Sequence, residues 1–107
     1  MRSKPVRLDP EALAELEAAA IWYDAQEPGL GNALLFEVAQ VLDLIRQGPA
    51  RYAPAPGVPW DLGVRRALLR QFPYVVAFME LTEEIRVLAI AHGKKRPGYW
   101  RRRVAVK

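Results

Sequence analysis

Two periodicities share this chain, and the point where one gives way to the other sets the fold class. Up to Gln47 apolar residues recur at spacings of three and four, the mark of helices. From Val64 onward they gather in short runs rich in Val, Ile, Leu and aromatics, the mark of strands. Between them, residues 49–63 hold Pro49, Pro54, Pro56 and Pro59 with Gly57 and Gly63, a stiff crossing loop of unusual length. Helices first and a meander of strands after is an α+β arrangement. The spacing predicts a short strand over Pro5 to Leu8, followed by a helix that starts at Asp9-Pro10-Glu11 and runs to about Gln26. Asp9 offers a cap, Pro10 suits the first helical position, and Glu11 suits the positive end of the dipole. Leu13, Leu16, Ala20 and Tyr23 form its expected apolar stripe. After the Pro28-Gly29-Leu30-Gly31 break, a second helix is expected over about Asn32 to Gln47, with Leu34, Val38, Val41 and Ile45 on one face and Gly48-Pro49 as its stop. Strands are expected over Val64 to Phe72, Tyr74 to Leu81 and Ile85 to His92. Both faces of the middle one are apolar, as in a strand covered on both sides.

A chain of 107 residues is expected to form a single domain, 1–107, with one modest core. It has no cysteine, which removes disulfides and thiolate chemistry, and its one histidine offers no metal-ligand spacing. No cofactor is expected. Residues 1–10 lack an apolar stretch, and no apolar run is long enough to span a bilayer, so the expected compartment is the cytoplasm and no membrane partner is expected.

The net charge of +4 conceals a strong asymmetry. No acidic residue follows Glu84, whereas Arg86, Lys94, Lys95, Arg96, Arg101, Arg102, Arg103 and Lys107 all do. The residues before that point carry an acidic excess. A focused positive field of this kind attracts polyanions or acidic protein segments. Within the basic end, Lys94, Lys95, Arg96, Arg101, Arg102 and Arg103 read as partner-binding, together with Arg65 and Arg66 on the first strand of the meander. Two-residue alternation places Arg66 and Arg70 on one face and Arg65 on the other. His92, at a strand end, reads either as a general base or as a structural hydrogen-bonder. Tyr99 is open to stacking or packing, and Trp100 is expected to pack. Tyr74, beside Phe72 and Pro73, is expected as a buried aromatic. Glu37 and Asp43, on the second helix, read as solvated.

The segments WYDAQEPGLGNALLFEV (22–38), VRRALLRQFPYVVAF (64–78) and VLAIAHGKKRPGYWRRR (87–103) together resemble the RelE/ParE superfamily of toxins from bacterial type II toxin–antitoxin systems, with the ParE, or plasmid-stabilisation, branch favoured. The resemblance implies a short N-terminal strand and a helical hairpin packed on a small antiparallel sheet. It also implies a cognate antitoxin that wraps and neutralises the protein with an acidic or amphipathic segment, and growth inhibition through a target such as DNA gyrase. The charge asymmetry places the expected antitoxin contact at the basic end and an apolar groove between hairpin and sheet. The alternatives are a ribosome-dependent mRNA endoribonuclease, acting on ribosome and mRNA, and a degenerate homologue that binds antitoxin without toxicity. In the nuclease branch the carried-over catalytic set is Arg70, His92, Lys95 and Tyr99. The central-strand arginine of nucleases falls at Val75, which cannot neutralise charge building on a phosphate.

Overall fold

The computed structural model describes residues 3–105. The chain runs through β1 (Val6–Leu8), α1 (Pro10–Gln26), α2 (Leu30–Gln47), β2 (Val64–Leu68), β3 (Tyr74–Glu80) and β4 (Ile85–His92). Two single 3-10 turns, Pro49–Arg51 and Trp60–Leu62, lie in the crossing loop, and the tail ends in a 3-10 segment, Arg101–Ala105. The sheet order is β1-β4-β3-β2. The last three strands form the expected antiparallel meander, but β1 lies parallel to β4, with Val6 opposite Ile85 and Leu8 opposite Val87. The sheet is therefore mixed, not purely antiparallel. Parallel neighbours need a long crossover, and here everything between β1 and β4 supplies it.

The two helices cover one face of this sheet. Leu34, Val38, Val41 and Ile45 are all buried, as their spacing predicts. On α1 the buried line is Ala12, Leu16 and Ala19, while Leu13 stays 46% exposed. Of the expected stripe, Leu16 is buried and Ala20 and Tyr23 pack half-buried against the core, while Leu13 gives its place to Ala12, whose small side chain lets α1 settle closely. At the hairpin turn, Gly29 adopts φ 97° and the Asp24 carboxylate accepts the N–H groups of Gly29 (3.2 Å) and Gly31 (2.8 Å). That cap starts α2 at Leu30, two residues ahead of the expected Asn32. A Cβ on Gly31 would stand 2.5 Å from the Ala20 carbonyl oxygen, so glycine permits the helices to close there.

Two further expectations fail around the β2–β3 turn. β2 ends at Leu68, not Phe72, and alternation lapses beyond it. Arg66 consequently faces the side of Ala77, whereas Arg70 sits over α2 beside Glu37, Gln40 and Leu44. Glu37 is buried, not solvated, and its carboxylate accepts the backbone N–H groups of Arg70 and Gln71. Those two amides have left the strand ladder, and a buried amide must find some acceptor. Asp43 is exposed as expected, with Arg46 and Gln47 as its partners.

The opposite face of the sheet is covered by irregular chain. Val64, Ala77, Leu88, Ala89 and Ala91 form a second small core with Ala55 of the crossing loop and Trp100 of the tail. Small side chains on that face allow loop and tail to lie close. They meet at Gly57 (φ 86°) and Gly98 (φ 79°), where a Cβ on Gly57 would stand 2.5 Å from the Pro97 oxygen and one on Gly98 2.5 Å from the Gly57 oxygen. Among the described residues no helix is long and apolar enough to cross a membrane.

Candidate functional site

β1 is only three residues long and covers only the Ile85–Val87 stretch of β4. Beyond it, the pairing of Gly93 N–H with the Pro73 carbonyl (2.7 Å) sets the ladder so that Leu88 and Ile90 turn backbone groups outward. Side chains take the place of the missing strand. Glu15 of α1 accepts the Ile90 N–H at 3.0 Å, and Arg103 of the tail donates to the Leu88 carbonyl at 3.0 Å. The two side chains also grip each other through a pair of 3.0 Å bonds, and the Tyr99 hydroxyl donates to the same carboxylate at 2.6 Å. A second ion pair lies deeper. Arg86 and Asp9 are 5% and 4% exposed, and the guanidinium forks onto the carboxylate at 2.9 Å through both Nε and Nη2. The same guanidinium donates to the carbonyls of Arg103 and Val104. Two carboxylates at the start of α1 thus hold the C-terminal tail in place.

This arrangement sorts the basic residues. Arg86 and Arg103 serve the fold. Arg65 is half-buried and donates to the Tyr52 carbonyl at 2.6 Å. Lys94, Lys95, Arg96, Arg101 and Arg102 are exposed and form the outward display. Lys107 lies outside the described residues. Arg66 lines a cleft of about 80 Å³ on the second face of the sheet, with Val75, Ala77 and Ala91 beneath it and Lys95, Arg96 and Trp100 around it.

Of the nuclease set, His92, Lys95 and Tyr99 come together in one groove with Glu15 and Trp22, and Arg70 does not, since it lies over α2. His92 packs edge-on against Tyr74 (5.1 Å between centroids), and its Nδ1 accepts the Lys94 N–H at 3.0 Å. Lys95 Nζ and the Arg103 guanidinium both stand 5.4 Å from the centre of the Tyr99 ring. The Tyr99 phenol is pushed well above its ordinary value, first by burial and then by its bond to the Glu15 carboxylate. A phenol held neutral and already donating is a poor proton acceptor.

That shift has a measurable consequence. The folded chain holds the Tyr99 proton more tightly than the unfolded chain, so its contribution to stability is complete below about pH 10 and is lost as pH rises further. Urea unfolding should show stability falling more steeply between roughly pH 9.5 and pH 11.5 in the wild type than in Tyr99→Phe. Equal slopes would refute the coupling.

Asp9 and Glu15 were not singled out as site residues from sequence. Asp9 was expected to cap α1, and its backbone does so, but its side chain makes no cap bond. For Glu15 a signal exists: it stands three residues after Ala12 and four before Ala19, a carboxylate on the apolar side of α1.

The family model for the ParE toxin of the parDE type II toxin–antitoxin system matches residues 6–97, stopping just short of Tyr99 and the tail arginines. No curated protein matches significantly in sequence. Among solved structures, a chain of the chromosomal ParDE system from P. aeruginosa is similar at a TM-score of 0.72 and 23% identity, covering 84% of this chain and 96% of that one. At that identity the likeness speaks for the fold.

Proposed function

This chain belongs to the ParE toxin family of type II toxin–antitoxin systems, and from that membership we propose a one-domain cytoplasmic toxin that a cognate antitoxin neutralises and that acts by binding a cellular target, with DNA gyrase the family's candidate. The observation that carries the binding mode is the outward display of Lys94, Lys95, Arg96, Arg101 and Arg102 on a tail held down by Asp9 and Glu15. A pinned set of cations presents a fixed pattern to an acidic segment, so less ordering entropy is lost on binding. Growth arrest on expression, relieved by the cognate antitoxin and accompanied by inhibited DNA supercoiling, is the expected result. Arrest with normal supercoiling would remove gyrase as the target.

The nuclease reading draws support from the meeting of His92, Lys95 and Tyr99. Against it stand Val75 at the cleft floor, the bond that occupies His92 Nδ1, and the commitment of Tyr99 to Glu15. Losing one transition-state cation commonly costs about 10²–10³ in rate. Ribosome-bound transcripts mapped after induction should therefore show no new cleavage. Cuts abolished by Lys95→Ala would reverse the assignment.

Charge reversal at Arg101 and Arg102 together is expected to slow antitoxin association by about tenfold or more and to flatten its dependence on salt. Arg103 is left intact in that variant because it holds the fold. Unchanged association kinetics at low salt would make the display a bystander.

A further inference from the structure

The cleft on the second face of the sheet lies on the side away from the helical hairpin. Its floor is apolar and made of small groups, Val75, Ala77 and Ala91. Three cations, Arg66 from β2 and Lys95 and Arg96 from the turn after β4, stand at its margin, and no carboxylate lines it. Among the described residues the side chains of Arg66 and Arg96 make no hydrogen bond or ion pair. An uncompensated cluster of this kind around an apolar floor is not needed by the fold, and its charge calls for an anion from outside.

The shape narrows what that anion is attached to. At about 80 Å³ the cleft is far smaller than the roughly 300–1,000 Å³ typical of small-molecule and cofactor sites. It offers no platform for a nucleobase, since Trp100 is 5% exposed and Lys95 and Arg103 already lie over the Tyr99 ring. One aliphatic side chain fits the floor, and carboxylates on either side of it would reach cations contributed by two different elements. We propose that this cleft is an anchor site for a protein segment carrying one aliphatic residue flanked by Asp or Glu. The site stands apart from the choice of cellular target. The Gly57–Gly98 contact, which presses the crossing loop onto the tail, holds its mouth in shape.

The test is a titration of the ¹⁵N-labelled protein with a capped pentapeptide that has a central leucine between two pairs of acidic residues. Amide shifts are expected at Ala77, Ala91, Gly93 and Gly98. A peptide with glycine in place of the leucine should bind about tenfold more weakly, as loss of a buried aliphatic side chain requires. Arg66→Gln and Arg96→Gln should each weaken the leucine peptide. Arg96 is exposed, so its replacement leaves the fold intact and keeps the test valid if Arg66→Gln unfolds. Equal affinity for the glycine peptide would show that charge alone is read, and the anchor would fall. Shifts confined to the hairpin would overturn it as well. Tighter binding of an oligouridylate at the same amides would assign the cleft to nucleic acid instead.

Discussion

Arg86→Ala is expected to cost about 3–5 kcal/mol, the loss typical when one partner of a buried ion pair is removed. The guanidinium holds Asp9 by a fork and also satisfies two carbonyls of the tail, so its removal strands a carboxylate that is 4% exposed. Arg7 approaches the same carboxylate at 3.2 Å, but its side chain is 45% exposed and replaces little of the fork. Equilibrium unfolding in urea gives the number directly. A double variant with aliphatic residues at both positions should recover much of the loss, because it leaves no charge unpaired. A cost under about 1 kcal/mol for Arg86→Ala would mean that water reaches Asp9 and that the pair is not truly buried.

Phe78→Ala should be of similar size, about 3–5 kcal/mol, by a different route. The ring is fully buried in the central strand β3 and meets Tyr52 edge-on at 5.7 Å. Its removal empties the space between sheet and α2. Phe78→Leu keeps most of the volume and should cost under about 2 kcal/mol. Tyr74→Ala should cost less than Phe78→Ala, since Tyr74 is only half-buried, at the rim of the same core, and not the enclosed aromatic expected from sequence. If Tyr74→Ala proved the more damaging, the centre of the core would lie nearer the β2–β3 turn than the burial pattern places it.

These contrasts show which parts of the structure could be read from residues. The faces of α2 and β3 were legible because their spacing is imposed by one dominant contact, the hydrophobic face against the sheet. β4 was legible because its run Val87–Ala91 is apolar throughout. The pairing of β1 was not, since three residues carry no mark of their neighbour or direction. The burial of Glu37 and Glu15 was hidden for another reason. Each carboxylate answers a backbone need created elsewhere in the chain, at Arg70–Gln71 and at Ile90, and local pattern says nothing about distant amides. The basic end was legible as a charge excess but not as a division of labour. Only the fold separates Arg86 and Arg103, which hold the tail, from Arg66, Arg96, Arg101 and Arg102, which do not.

A four-stranded sheet has two flanks, and an open flank is a template on which another chain can stack indefinitely. On the β2 side the crossing loop closes it, with Ala55 N–H on the Val64 carbonyl and Arg66 N–H on the Ala53 carbonyl. On the other side β1 falls short, and Glu15 and Arg103 occupy the positions that a fourth-strand extension would otherwise offer. Removing Glu15 would leave the Ile90 N–H without its acceptor, and removing Arg103 would leave the Leu88 carbonyl without its donor, both on a strand edge with apolar side chains. The first symptom would be precipitation at high concentration, before any loss of binding. That one ion pair therefore closes the stretch of sheet edge that β1 leaves open.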